Sequence, residues 1–169
     1  MHRAATLSIL TVFAAAISFT ATAKGTTESQ SLPDFRLKLV NGKVMNSKDL
    51  AGKITVIDFW GTWCAPCLSE IPDYNKFYEE YKGKGVVFIA LAADSGTAEE
   101  VRDAAKRLKI EYPVAAPSWE ELDLFGNIEV FPTTLVFNSK GKLEKGFMGS
   151  SPSKQRAMRE LVDRLLSGR

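Results

Sequence analysis

Apolar residues follow two different patterns in the first half of the chain. Residues 35–39 alternate between apolar and charged side chains, and an Asn41-Gly42 turn with a return strand at 43–45 completes the pattern of a hairpin. Largely apolar runs over 54–59 and 86–91 are typical of strands that are buried on both faces. The sequence therefore predicts an N-terminal hairpin followed by the central strands of a sheet.

Segments with helical spacing separate and follow these strands. Apolar residues three and four positions apart predict a helix over 64–82 and a final helix over 153–166. Capping-box sequences begin two further helices, over 97–108 and 118–125, and a closing pair of strands is predicted within 135–147. Strands that alternate with helices in this way indicate an α/β domain with a mixed sheet covered on both faces.

The first 23 residues have the features of a secretory signal peptide. Residues 1–3 include a basic side chain, residues 7–19 are apolar apart from serine and threonine, and Ala21-Thr22-Ala23 has the form of a cleavage site. The alternative is an uncleaved membrane anchor, because residues 4–23 carry no charge. We expect cleavage after Ala23 and a protein that works in the periplasm or otherwise outside the cytoplasm.

After the signal peptide, the sequence predicts a short spacer and one domain. Residues 24–31 are polar and indicate a flexible spacer. Residues 32–169 are long enough for a single domain with a sizeable core, and they show no internal repeat.

Charge and composition argue against several kinds of partner and ligand. The chain has 22 lysines and arginines against 20 aspartates and glutamates. So nearly neutral a chain gives no support for binding nucleic acid or an anionic membrane surface. The single histidine, His2, lies in the predicted signal peptide, so a metal site in the mature chain would lack histidine ligands. We expect no metal and no other cofactor.

Redox chemistry would depend on the two cysteines of the chain, Cys64 and Cys67. They follow the 54–59 strand at the point where a helix is predicted to begin, which places Cys64 at a helix N-terminus. Unsatisfied N–H groups and the helix dipole favour a thiolate there, and the spacing keeps Cys67 within bonding reach. If the pKa of Cys64 falls from about 8.5 to about 7, roughly half of it is thiolate at neutral pH. Cys64 is then the attacking thiolate, Cys67 is the resolving thiol, and the pair forms a redox disulfide.

The residues alone leave two other roles open for this pair. A structural disulfide usually closes a longer loop, because closing a short one restrains the unfolded chain little. A zinc site would need two further ligands, and the mature chain has neither a third cysteine nor a histidine. Thiol–disulfide exchange is the role that the spacing favours.

The chain resembles the thioredoxin-fold proteins, and within them the TlpA/ResA-like extracytoplasmic thiol–disulfide oxidoreductases. The resemblance covers about 32–169 and rests on the sequence DFWGTWCAPC at 58–67, on Glu70 and Pro72, and on FPTT at 131–134. It implies a thioredoxin-like fold, with a central mixed β-sheet flanked by helices and an N-terminal β-hairpin extension. It also implies an enzyme that most often reduces protein disulfides.

Two acidic residues near the cysteines are candidates for catalytic roles. Asp58 is a charged residue within an apolar strand, where burial would raise its pKa and let it take a proton at neutral pH. It matches the buried aspartate of thioredoxins, which implies that it deprotonates Cys67; the alternative is an aspartate that faces solvent. Glu70 lies one helical turn after Cys67. The resemblance implies that it tunes the cysteines or touches the substrate, and the alternative is an exposed glutamate.

Four residues are predicted to bind the client protein. By resemblance, Pro132 is a cis-proline beside the cysteine pair, which leaves the backbone of Phe131 free to bind an incoming peptide as an added strand. From sequence alone, a trans proline at the start of a strand would be commoner. Thr133 follows Pro132, and Trp63 is expected to form part of an apolar docking surface beside Cys64, unless it is only packing.

The resemblance also implies the partners. Cys64 would attack a client disulfide and Cys67 would release the reduced client from the mixed disulfide. The expected partners are client proteins with cysteine pairs, as in apocytochrome c or copper sites, and a membrane thiol–disulfide electron donor; we expect a monomer. The alternatives are an oxidant that introduces disulfides, a peroxiredoxin-type peroxidase and a non-catalytic copper-binding module. Trp60 and Trp63 in the cysteine turn argue against the peroxidase, and the lack of histidine argues against the copper module.

Overall fold

The computed structural model of the protein describes residues 30–168, so the predicted signal peptide lies outside the described residues. Gln30, which the sequence prediction places in the spacer, already bonds to the domain, because its Nε2 donates to the carbonyl oxygen of Phe125 at 2.7 Å. Within residues 30–168, no helix combines the length and apolar character that a membrane span requires.

The predicted N-terminal hairpin is present. Strand β1 (Arg36–Lys38) pairs antiparallel with β2 (Val44–Asn46). In the turn between them Gly42 has a φ of 84°, which glycine adopts without the steric cost of a side chain. A short 3-10 helix, Ser47–Leu50, then leads towards the central sheet.

The central sheet has five strands in the order β5-β4-β3-β6-β7. Its middle strand, β3 (Ile54–Trp60), runs parallel to β4 (Val86–Ala92) and antiparallel to β6 (Thr133–Phe137). The edges are β5 (Val114–Ala115), parallel to β4, and β7 (Leu143–Met148), antiparallel to β6. The predicted mixed sheet is confirmed. Strand β5 was not predicted, because two residues are too few to show an alternating pattern.

In the described part of the chain, four α-helices accompany the sheet, and each predicted helix boundary lies within two residues of the observed one. They are α1 (Ala65–Tyr81), α2 (Ala98–Arg107), α3 (Trp119–Asp123) and α4 (Pro152–Ser167). The predicted capping boxes are present at the starts of α2 and α3. Reciprocal caps of this kind satisfy N–H groups that the first helical turn leaves without partners.

Two apolar layers cover the two faces of the sheet. One contains side chains from α1, α2 and α4, among them Phe77 and Met158. The other contains side chains from the N-terminal hairpin and the region of α3, among them Leu37 and Phe125. Because side chains alternate between faces along a strand, Asp58 shares the face of β3 that α1 and α4 cover. A charged residue is therefore enclosed between the sheet and the cysteine-bearing helix.

Candidate active site

The cysteine pair lies at the N-terminus of α1, directly after the central strand. Cys64 is the N-cap residue and Cys67 lies in the first turn; a disulfide joins them, with their Cα atoms 5.3 Å apart. Pro66 fits this turn because the N–H that it lacks would have no helical partner there. The backbone N–H of Cys67 donates to Cys64 Sγ at 3.3 Å. A thiolate at Cys64 would thus receive a hydrogen bond as well as the positive end of the helix dipole.

The side chain of Trp63 projects from the turn that precedes the pair. It is 56% exposed, its Nε1 donates to the carbonyl oxygen of Ala93 at 3.3 Å, and its ring meets that of Phe131 edge to face at 5.5 Å between centroids. Gly61 leaves room for this ring, because a Cβ there would lie 2.6 Å from Trp63 Cε2. Trp60, in contrast, is buried in the core. Of the two tryptophans, Trp63 is the one that presents apolar surface beside the cysteines.

The segment before β6 contains the predicted proline. The Phe131–Pro132 peptide bond is cis, as the resemblance implied. Thr133 is buried, and its hydroxyl donates to the carbonyl oxygen of Val130 at 2.7 Å, so this side chain fixes the turn instead of facing solvent. Met148 on edge strand β7 pairs with Thr133 and is 76% exposed. The cis-proline segment is therefore bordered by exposed apolar side chains.

Asp58 is only 3% exposed, which rules out the solvent-facing alternative. Its Oδ1 accepts hydrogen bonds from Thr134 Oγ1 at 2.8 Å and from the hydroxyl of Tyr74 at 3.2 Å. Removal from water raises the pKa of Asp58 from 3.8 to about 6, although the positive charge of Lys154 and the two hydroxyls work in the opposite direction. Asp58 is therefore a buried carboxylate that changes protonation close to neutral pH.

Glu70 is also buried, so the exposed alternative is wrong for this residue. Its Oε2 accepts from Lys154 Nζ at 2.8 Å, and both side chains of this ion pair are 4% exposed. Gln155 Nε2 donates to the other carboxylate oxygen at 3.3 Å, and the Tyr74 hydroxyl donates to Oε2 at 3.3 Å. Burial of Glu70 is compatible with the implied role of tuning the cysteines and leaves it no surface with which to touch a client.

Sequence reasoning missed the polar partners of the two carboxylates. Helical spacing over 64–82 predicts only a core position for Tyr74, and the sequence pattern predicts no role for Lys154. A signal for Lys154 was present, because it precedes Met158 by four residues and Leu161 by seven and so falls on the apolar side of α4. A lysine in an apolar stripe needs a buried partner, but the sequence does not say which acidic residue supplies it.

Three buried residues of α1 lead from the cysteine pair to the hydrogen-bonded side chains around Asp58 and Lys154. Cys67, Glu70 and Tyr74 are separated by three and four positions, which places them on one side of the helix. The arrangement can form a thiolate at Cys64, accept a proton at Asp58 and return to the disulfide that the structure contains. These are the requirements for exchange between a dithiol and a disulfide.

Comparison with known proteins agrees with this geometry. The redoxin family matches residues 27–163. Thiol-disulfide oxidoreductase ResA of Bacillus cereus is 35% identical over 123 residues, which cover 73% of this chain and 70% of that protein. ResA of Oceanobacillus iheyensis is 31% identical over 153 residues, covering 85% and 79%. The crystal structure of a putative thiol:disulfide interchange protein DsbE from Chlorobium tepidum has a TM-score of 0.74 at 27% identity, covering 82% of this chain and 96% of that one. The chain therefore belongs to the redoxin family, and within it to the thiol–disulfide oxidoreductases of the ResA and DsbE type.

Proposed function

We propose that this protein is an extracytoplasmic reductase of protein disulfides that acts through Cys64 and Cys67. The observation that carries the proposal is the burial of two carboxylates, Asp58 and Glu70, under the helix that bears both cysteines. Negative charge near a sulfur raises the pKa of the thiol, because it disfavours the thiolate. Strong oxidants of this fold owe their potential to a strongly stabilised reduced form. Within residues 30–168, the two buried carboxylates face a single buried cation, Lys154, and this charge balance favours the opposite, reducing direction.

The reaction proceeds in two exchanges. The Cys64 thiolate attacks one sulfur of a client disulfide, forming a mixed disulfide, and the other client sulfur leaves with the electron pair and takes up a proton. Asp58 then accepts the proton of Cys67, and the Cys67 thiolate attacks Cys64 Sγ. The second client sulfur leaves as a thiolate and is protonated. Two electrons have passed to the client, and the enzyme is left with the Cys64–Cys67 disulfide.

Clients would dock on apolar surface around the cis-proline segment. Trp63, Val130 and Met148 are large apolar side chains that stay exposed, and Phe131 contacts the first of them. A cleft of about 270 Å³ lies between the segment that precedes the proline and edge strand β7, and both Val130 and Met148 line it. Exposed apolar patches of this kind are typical of protein-binding sites. We infer that a client segment lies across them as its disulfide approaches Cys64.

We further propose that the protein works outside the cytoplasm with a membrane-bound electron donor. Cleavage after Ala23 would release a single-domain monomer, with a membrane thiol–disulfide protein as electron donor. The proposed clients are the haem-binding cysteines of apocytochrome c or cysteines of a copper site. The names of the ResA and DsbE relatives support exchange with disulfides in general. N-terminal sequencing of the protein from a periplasmic or secreted fraction tests the cleavage, since an uncleaved anchor would leave Met1 in the membrane fraction.

The direction of electron flow is tested by the reduction potential. Equilibration with thiol redox buffers should give the Cys64–Cys67 pair a reduction potential of about −270 mV, like that of thioredoxin. A reduction potential of about −120 mV would instead make the protein an oxidant. Clients are identified with Cys67→Ala, which cannot resolve the mixed disulfide and should retain the client on Cys64. The matched control is the double variant Cys64→Ala/Cys67→Ala. A protein captured equally by both variants is bound without exchange and is not a client.

A further inference from the structure

A buried ion pair lies next to the proposed proton acceptor. Within residues 30–168, Lys154 is the one lysine or arginine that is buried, and it contacts Glu70 at 2.8 Å. Lys154 Nζ also lies 5.7 Å from the centre of the Tyr74 ring. Burying an ion pair is costly, and well-packed apolar residues would often stabilise a fold as much or more. The pair therefore calls for an explanation beyond stability.

Hydrogen bonds connect this ion pair to Asp58. The Tyr74 hydroxyl lies 3.3 Å from Glu70 Oε2, 3.2 Å from Asp58 Oδ1 and 2.8 Å from Thr134 Oγ1. Thr134 Oγ1 in turn lies 2.8 Å from Asp58 Oδ1. When Asp58 is ionised, Thr134 donates to it. When Asp58 is protonated, the direction can reverse along Asp58, Thr134 and Tyr74, so that Tyr74 donates to Glu70. The second arrangement requires Glu70 to remain an acceptor.

We propose that Lys154 is a positioning residue for thiol–disulfide exchange: its ion pair keeps Glu70 in place as a hydrogen-bond acceptor for Tyr74, so that Asp58 is the buried carboxylate that takes the proton of Cys67. The inference rests on the proposed role of Asp58 as that acceptor. Without the cation, the two buried carboxylates would share one hydroxyl donor, and Glu70 would raise the pKa of Asp58 without Lys154 to oppose it. Asp58 would then already hold a proton when Cys67 has to lose its own.

The titratable groups that face Asp58 come from three parts of the fold. Glu70 and Tyr74 lie on α1, Lys154 lies on α4, and Tyr112 precedes β5. Burial raises the pKa of both tyrosines well above the usual value, so they stay neutral across the working range of pH. Lys154 lowers the pKa of Asp58 and Glu70 raises it. The two members of the ion pair should therefore shift the pH dependence of proton uptake in opposite directions.

The test measures both exchanges on the full domain with a small chromogenic disulfide. The reduced enzyme releases one thionitrobenzoate when Cys64 attacks Ellman's reagent and a second when Cys67 resolves the mixed disulfide. The rate of the second release is followed against pH for wild type, Lys154→Met, Glu70→Gln and the double variant. Arg156→Met is the matched control, because it removes an exposed cation from the same helix. The reagent requires neither a client nor a particular direction in the cell, so the result is independent of the proposed physiological role.

Opposite shifts are the expected result. In the plot of the rate of the second thionitrobenzoate release against pH, Lys154→Met should move the midpoint to higher pH by about one unit or more. This corresponds to roughly a tenfold loss of rate at pH values below the midpoint. Glu70→Gln should move it to lower pH, the double variant should return towards wild type, and Arg156→Met should leave it unchanged. Glu70→Gln keeps the inference testable if Lys154→Met does not fold. Midpoints that coincide in all folded variants, or a double variant shifted further than Lys154→Met, would overturn it.

Discussion

Replacing Asp58 by asparagine should stabilise the oxidised protein at neutral and alkaline pH. Asp58 has a pKa of about 6 in the folded protein, against 3.8 in the unfolded chain. A shift of this size corresponds to about 3 kcal/mol. Because folding raises the pKa, the native state binds this proton more tightly than the unfolded state does. Stability from this residue is therefore greatest below pH 3.8 and is lost as pH rises towards 6 and beyond.

An asparagine at position 58 avoids this loss of stability at high pH, and its side chain has nearly the same shape as that of aspartate. Its amide oxygen can still accept from Thr134 and Tyr74, which bond to Oδ1 of the aspartate. The free energy of unfolding, measured with urea on the oxidised proteins, should rise by up to about 3 kcal/mol at pH 8. The gain should shrink towards zero at about pH 4, where the buried aspartate is already protonated.

A surface aspartate provides the control for this experiment. Asp73 lies on α1, its side chain is 52% exposed, and it pairs with Lys76 at 3.3 Å. Asp73→Asn should change stability little, because exposed ion pairs contribute about 0 to 1 kcal/mol. If Asp58→Asn is no more stable than wild type at pH 8, or if its gain is the same at pH 4 and pH 8, then burial does not disfavour the charge of Asp58. The proton-acceptor role would lose its physical basis.

Four further predictions concern catalysis. Alkylation of the reduced protein near pH 7, followed by peptide mapping, should label Cys64 before Cys67, because Cys64 lies at the helix N-terminus; the reverse order would exchange their roles. Asp58→Asn should slow resolution of the mixed disulfide much more than the initial attack in stopped-flow measurements, and equal effects on both steps would make Asp58 a packing residue. Trp63→Ala should reduce exchange with protein disulfides more than exchange with a small disulfide, since the ring is 56% exposed beside Cys64. Gly61→Ala should act in the same direction, because its Cβ would lie 2.6 Å from the ring; equal loss on both substrates would indicate general damage to the turn.

The sequence predicted the scaffold well because strong local patterns determine it. The apolar run that became β3 and the proline in the first turn of α1 place Cys64 and Cys67 without help from distant residues. The burial of Asp58 was also predictable, because its neighbours along the strand are apolar. Strand β5 was missed because it has only two residues, too few to show a pattern of their own, and it is a strand only because it pairs with β4.

The buried contact between Glu70 and Lys154 could not be predicted in the same way. Glu70 and Lys154 are 84 positions apart in the chain, and their contact depends on how α1 and α4 pack on one face of the sheet. Helical periodicity shows that Lys154 falls on an apolar side, but it gives no partner. Resemblance to a family pointed to Glu70, while the alternative of an exposed glutamate stayed open until its burial was observed.

The cost of Asp58 is itself an argument for its role. A carboxylate whose pKa is raised to about 6 by burial destabilises the native protein at neutral pH by about 3 kcal/mol, a large part of the 5–15 kcal/mol or so that holds a typical domain together. An asparagine would keep the hydrogen bonds to Thr134 and Tyr74 without that cost. Local conflicts of this kind concentrate at functional sites, where chemistry requires what stability disfavours. What an aspartate supplies at this position and an asparagine does not is a proton acceptor with a pKa close to neutral, on the sheet face beneath the helix that carries Cys67.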